Sequence, residues 1–495
     1  MQPSMILDRP AFRRAAARGL GVHPDAIDVN TLLADPATIA RAGHVLHQAL
    51  ARTPDDVDLS CALAHLLLAY GHAANTGLFA GQALRHAPDR AEPYALLAMA
   101  AAINGGWQIT AGYALIAATL EPRNAHVAGL LAHACHSIDP HCRRSFPWLK
   151  GQGAPPRLIE TCPGTGTPDL LLLRGLGENV LLSPYRNASG RRGLALDVEA
   201  LCHLLDTNHA YRVLLEIAGH LKPKLLYVQA GGVSRRDELP AELLLALREA
   251  LGCRVVMLYT DAVKPFFHNQ HRRIYTPAVD AFVAIDAGFP PEACGPAVIN
   301  GWTPVDAAQF FPDEGERPID VLFSGSRREH YQYRGRMLDA LRAQGIAVEV
   351  TGDGERRLSR GEYAATTRRA KIVLNFSRAP TRPVAVLSDR SDDAVHLKGR
   401  VIEALASGCL LLEERNTVTG QFLTEGEHYV AFDGIDELLA KIRHYLAHPA
   451  EREAIARAGH AAWKARYTEE AFWTLVWDAA QAGRPTAPPP DGAGR

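Results

Sequence analysis

His396-Leu-Lys-Gly-Arg-Val-Ile-Glu-Ala-Leu-Ala-Ser-Gly-Cys-Leu-Leu-Leu-Glu413 changes character twice within 18 residues. Two cations, Lys398 and Arg400, open a run of good helix formers that carries one carboxylate, Glu403, a turn in. Gly408 ends that run, either as a helix C-cap or as a sharp backbone turn. Cys409–Glu413 is then an apolar run of strand length. A helix joined through glycine to a buried strand is half of a βαβ crossover, so the stretch predicts a parallel sheet.

The flanking segments alternate in the same way. Ile319–Phe323, Ala347–Val350 and Lys371–Leu374 read as strands, and Arg336–Gln344, Asp436–Tyr445 and Ala450–Tyr467 as helices. Upstream, Leu225–Gln229, Arg254–Tyr259 and Ala281–Ile285 read as strands around a helix at Ala241–Leu251. A connector with Pro304, Pro312 and Pro318 separates the two series. Two parallel-sheet domains joined by a short hinge place a cleft at the carboxyl ends of their strands.

The first third is different. Pro54, Pro88 and Pro122 are 34 residues apart, and Ala49/Ala83/Ala117, Leu63/Leu97/Leu131 and Ala64/Ala98/Ala132 keep the same step. Over residues 23 to 136 this resembles the tetratricopeptide repeat, a helix-turn-helix unit whose stacked copies form a concave surface for a peptide or protein. Past residue 137 the period stops in a stretch rich in proline and glycine, from Pro140 to Gly166.

Composition narrows the class. With 495 residues the chain has room for about three domains. Its 53 Lys plus Arg balance 54 Asp plus Glu, which argues against a general nucleic-acid or membrane-surface binder. Eight cysteines without a CxxC pair, and no charged n-region before an apolar core, predict a reduced cytoplasmic protein. No apolar run approaches the ~20 residues of a spanning helix. His133, Cys135, His136, His141 and Cys142 include zinc-ligand types, but Leu131, Ala132 and Cys135 fall on repeat core positions, so helix packing is the better reading.

Lys398-Gly-Arg400 followed by Glu403-Ala-Leu-Ala-Ser-Gly408 resembles the donor-nucleotide motif of GT-B glycosyltransferases, in particular the CgeB-like, glycosyl transferase group 1 proteins. Val321-Leu-Phe-Ser-Gly-Ser326, Lys371-Ile-Val-Leu-Asn-Phe-Ser377 and the hinge-like Asn300–Pro312 extend the similarity over about 220 to 475. The resemblance implies an α + α/β chain: tetratricopeptide-like α-solenoid at 1–136, linker at 137–156, and a GT-B module of two Rossmann-like domains. These are an acceptor-side domain at 157–303 and a nucleotide-sugar domain at 304–483, with a disordered tail at 484–495.

The site expected from these motifs binds a nucleotide-diphosphate sugar through Gly325, Ser326, Arg327, Arg328, Asn375, Lys398, Arg400, Glu403 and Gly408. A departing diphosphate needs fixed cations and backbone amides, which a strand end and a helix start supply together without a metal. Glu403 takes the ribose hydroxyls in the resemblance. Retaining relatives carry a glutamate eight positions earlier, where this chain has Val395, next to His396. An inverting reaction needs a base from the first sheet domain: Asp261 ranks first, with His268 and Asp237 nearby. Each has a structural alternative, since strand-end aspartates also cap helices and paired arginines also decorate surfaces.

Arg378–Ala394 reads either as a flap over the donor or as a solvated loop. There is no P-loop, no G-x-S-x-G elbow and no HExxH, and the one D-x-D, Asp56-Val-Asp58, sits at a helix start. The expectation is therefore a cytoplasmic enzyme, without cofactor or metal, that glycosylates a protein recruited by the repeats. Analogy alone adds a bacterial surface or flagellar polypeptide as acceptor. Self-association through the repeats, a small-metabolite or glycan acceptor, a degenerate non-enzymatic adaptor and a nucleotide-sugar epimerase are the alternatives.

Overall fold

A computed structural model describes residues 10–28, 32, 36–139, 146–230, 239–263, 270–326, 332–352, 358–379 and 394–483. The chain forms two compact units. One comprises Met1–Gly177, Arg191–Lys224 and Glu249–Cys253; the other comprises Glu178–Gly190, Leu225–Arg248 and Arg254–Arg495.

In the first unit, helices Val57–Ala69, Ala91–Ile103 and Ala125–Ile138 alternate with Ala73–His86 and Trp107–Leu120, so both sets begin 34 residues apart. Consecutive helices pack on one another. Leu63, Leu97, Leu131, Ala83, Ala117, Ala64 and Ala98 are buried as the period requires. Ala132 is exposed, because it lies on the last helix of the series. Asp56 caps its helix by accepting from the amide of Leu59 at 3.0 Å, and Asp58 takes Arg90 at 2.6 Å, so the D-x-D is structural. Trp107 packs edge-on against the ring of His133. His141 and Cys142 lie outside the described residues.

The same unit carries β1 (Ile159–Cys162), β2 (Thr165–Leu173) and β3 (Arg191–Asp197). β2 and β3 are parallel, whereas β1 runs antiparallel to β3, a departure from the all-parallel expectation. Only Pro163 and Gly164 separate β1 from β2, too few residues for a crossover. Gly164 is required there, since a Cβ would lie 2.2 Å from the carbonyl carbon of Arg191. Helix Thr207–Leu221 covers the helical array closely, with Val213 against Gly112 and His220 against Gly81.

The second unit holds parallel strands β4 (Leu225–Ala230), β5 (Arg254–Tyr259), β6 (Ala281–Ala284) and β7 (Val298–Asn300) in that order. It also contains β8 (Ile319–Ser324), β9 (Val348–Thr351), β10 (Ala370–Asn375), the short ribbon β11 (Arg378–Ala379) and β12 (Ala394–Val395), β13 (Leu410–Glu414) and β14 (Val430–Phe432). The five long strands of that group make a parallel sheet ordered β14-β13-β10-β8-β9. Val321, Phe323, Ile372, Leu374, Leu410 and Leu412 form its core with Leu338, Leu438 and Ile442. Near-continuous apolar runs are what a sheet covered on both faces needs. The last helix, Glu469–Ala482, sets Trp473 against Tyr185 and Tyr227 and contacts β5 and β6. Among the described residues no helix is long and apolar enough to cross a membrane.

Candidate active site

The helix Gly399–Ala406 starts at the carboxyl ends of β8 and β10, and its N-cap residue is Lys398. A lysine has no acceptor to cap with, and the Lys398 side chain makes no cap bond, so this residue leaves the first-turn amides at the positive end of the helix available to an anion. Gly399 is needed where it stands: a Cβ would press on Thr303 Oγ1 at 3.3 Å.

Arg400 reaches across the β8 end. Its Nη1 donates to Asn375 Oδ1 at 3.1 Å, and its guanidinium lies over the Phe323 ring at 5.3 Å. Gly325 makes room, since a Cβ there would be 2.8 Å from Arg400 Nη2. Half-buried Ser326 follows directly. Behind Arg400, Asn375 Nδ2 donates to Glu413 Oε2 at 2.8 Å, and Ser377 Oγ donates to the other oxygen. Burial pushes the Glu413 carboxyl up to about 7, partly offset by its bonds from Ser377 and Asn375.

Glu403 is buried one turn into the helix. Tyr363 donates to its Oε2 at 2.5 Å and Arg360 pairs with Oε1 at 2.7 Å. Burial and this carboxylate raise the Tyr363 hydroxyl, which stays a donor. A carboxylate has about four acceptor positions, so Glu403 retains capacity for further donors.

The second half of the site comes from β5 and β6. Asp261 and Asp286 each lie two residues past their strand end, and those ends, Tyr259 and Ala284, are register partners. A Cβ on Gly288 would meet Val263 N at 2.4 Å, so the two loops touch backbone to backbone. Of the described non-glycine residues with positive φ, Asp261 (57°) and Ala287 (49°) both fall in these loops, where strained backbone marks a constrained site. Leu397 N donates to Asp286 O at 2.8 Å and brings His396 in. Asp261, Asp286 and His396 offer donor atoms within 4.8 Å of one another. His396 Nδ1 is bonded to Asp286 Oδ2 at 2.9 Å and its Nε2 to Lys398 Nζ. Both ring nitrogens are thus engaged by side chains. Desolvation, with Lys398 second, lowers His396 despite Asp286 and Asp261. Desolvation, Arg334 and Arg400 hold Lys398 well below an ordinary lysine despite the same two carboxylates.

The structure therefore gathers Gly325, Ser326, Asn375, Lys398, Arg400 and Glu403, and adds Asp261 across from them. It does not gather Gly408. At φ 63° that glycine follows the far end of the helix, with its amide on Leu405 O at 3.0 Å and Pro312 beside it, so its role is a C-cap. Arg327, Arg328, His268 and Asp237 lie outside the described residues, as do 380–393 of the charged segment and the 484–495 tail. Asp286, Arg334, Arg360, Tyr363 and Glu413 are not among the residues that the sequence motifs single out, and His396 enters there only as a non-carboxylate. For Asp286 a signal existed: it repeats the position of Asp261 after the neighbouring strand.

Residues 328–475 match the glycosyl transferase-like family. That segment carries Asn375, Lys398, Arg400 and Glu403, while Gly325, Asp261 and Asp286 precede it. Among solved structures, HepE from Anabaena, in complex with UDP and glucose, is 13% identical over 64% of this chain and 100% of that chain, with a TM-score of 0.47. A glycosyltransferase from Rickettsia africae is 10% identical over 64% and 98%, with a TM-score of 0.43. Sucrose-phosphate synthase from Thermosynechococcus elongatus is 12% identical over 64% and 98%, with a TM-score of 0.41. No curated protein matches the chain by sequence.

Proposed function

We propose that the protein is a glycosyltransferase that moves a sugar from a nucleotide-diphosphate donor to an acceptor hydroxyl. The observation that carries the reading is the start of Gly399–Ala406, which the Lys398 side chain does not cap and where Arg400 meets Gly325 at a parallel strand end. A leaving diphosphate develops charge that these cations and amides are placed to stabilise before reaction begins. Glu403, held by Arg360 and Tyr363, is the acceptor for ribose hydroxyls. The acid–base group comes from Asp261, Asp286 and His396. The family match over 328–475 supports the same class.

The 34-residue period supports tetratricopeptide-like recruitment of a polypeptide acceptor, and a cavity of about 510 Å³ among the first helices, lined by His47, Leu63, Leu67, Tyr70, Leu78 and Phe79, gives it a place. No metal enters this scheme.

Calorimetric titration of the full chain with UDP, GDP, CDP, dTDP and their sugars tests the donor site. One nucleotide should bind at micromolar affinity and lose it in Lys398→Ala and Glu403→Ala. Absence of binding by every member to folded protein overturns the proposal and leaves a non-enzymatic adaptor.

A further inference from the structure

We infer that Lys398 is a removable cover on His396: the donor's diphosphate draws the amine off the imidazole, and the Nε2 lone pair thus uncovered takes the proton of the attacking hydroxyl. The inference rests on the donor-site reading above and names the base within it.

His396 is 3% exposed, so its hydrogen bonds fix its protonation pattern. With Nδ1–H donated to Asp286 Oδ2, the lone pair lies on Nε2, where Lys398 Nζ is its partner. The imidazole is therefore oriented like a general base, with a carboxylate behind it, yet its basic atom is occupied.

The occupant has reason to leave. Lys398 is faced by Arg334 from helix Gln332–Ala343, by Arg400 from its own helix, by Asp261 past β5, and by Asp286 and His396. Desolvation, and after it the two guanidiniums, disfavour a charged amine there, which suits a neutral donor to Nε2 at rest. A diphosphate placed against Arg400 and the helix start reverses that balance and returns a proton to the amine. Lys398 then serves the phosphate, and His396 is free.

In the step that follows, the acceptor proton moves to Nε2, giving an imidazolium stabilised by Asp286. The acceptor oxygen bonds to the anomeric carbon as the bond from that carbon to the phosphate oxygen breaks. The electron pair departs on the diphosphate between Lys398 and Arg400. Such a displacement inverts configuration, and water can replace the acceptor, giving donor hydrolysis.

Two measurements on the full chain test this. The diphosphate of a nucleotide sugar is esterified at both ends and keeps only strongly acidic protons, so at pH 8 it is fully ionised and takes up no proton of its own. Titration with the nucleotide sugar that binds, in two buffers of different ionisation enthalpy, should show uptake approaching one proton per site. Binding without proton uptake overturns the exchange while leaving the donor site standing; no binding at all overturns both. Donor hydrolysis should fall about 100-fold or more in His396→Gln, with nucleotide affinity changed less than about threefold. Asp286→Asn should lower kcat and shift its pH profile. Wild-type hydrolysis by His396→Gln, or loss in Asp261→Asn alone, overturns His396 as the base.

Discussion

Gly325→Ala is the sharpest test of the donor site, because the structure says where the added methyl goes. A Cβ would lie 2.8 Å from Arg400 Nη2 and 3.2 Å from Phe323 Cζ. The backbone cannot retreat: Gly325 N donates to Thr351 O at 2.8 Å, and Gly352 packs so near that its own Cβ would lie 3.3 Å from that nitrogen. Phe323 has only a few tenths of an ångström to give within a full core. The guanidinium, at the end of a flexible side chain, yields instead and loses the 3.1 Å bond to Asn375. A hydrogen bond made by a charged group contributes about 1.5–3 kcal/mol. If Arg400 must hold that position to meet a phosphate, nucleotide Kd rises about ten- to hundredfold. Stability should fall as well, by about 1–3 kcal/mol, because Gly325 lies at φ 156°, where an alanine is strained however far Arg400 moves. Calorimetric titration reads the first quantity and urea unfolding the second. An unchanged Kd in folded protein refutes the argument that Arg400, held by Asn375, touches the donor.

Two further outcomes follow from packing and titration. Gly112→Ala puts a Cβ 2.6 Å from Val213 Cγ2 at the seam between the helical array and Thr207–Leu221; it should cost about 1–3 kcal/mol in urea unfolding, and Val213→Ala in the same chain should recover most of it. Burial sets Glu413 at about 7 against an ordinary 4.5, and Glu469 likewise. The folded chain then holds protons that the unfolded chain releases, so their contribution is full below about 4.5 and is lost as pH rises through about 7. Stability to urea should decline over that window, by up to about 1.4 kcal/mol per pH unit for the fully buried Glu413, and the decline should be shallower in Glu413→Gln; an equal slope would remove Glu413 as its source.

What could be read from the chain and what could not divide along a physical line. Helix and strand positions follow local periodicity, which is why Ala241–Leu251 and Arg254–Tyr259 emerge with the bounds expected. β2 was hidden because Gly164, Gly166 and Pro168 precede its apolar core, Leu170–Leu173, and punctuate it like a loop. Gly408 was ambiguous because a helix-end glycine serves a turn towards a ligand as readily as a C-cap. Only the direction of Gly399–Ala406 separates the two, and it puts Lys398 at the anion-binding end and Gly408 at the other.

The donor half of the site was legible for a related reason: its chemistry is concentrated in one short segment, Lys398 to Glu403, where charge and helix start coincide. The acid–base half is assembled from afar. His396 meets Asp286 across 110 residues of chain, and no local pattern encodes that pairing. Its cause is tertiary: register between β5 and β6 sets both aspartates at one level, and the amide of Leu397 donates to Asp286 O and carries His396 into place. The same Leu397 lies between His396 and Lys398, so one backbone bond fixes both the imidazole and the amine that covers it. Perturbing that anchor should therefore alter donor affinity and hydrolysis together, whereas Asp286→Asn, which keeps the backbone bond but removes a carboxylate facing both His396 and Lys398, should lower hydrolysis more than donor affinity.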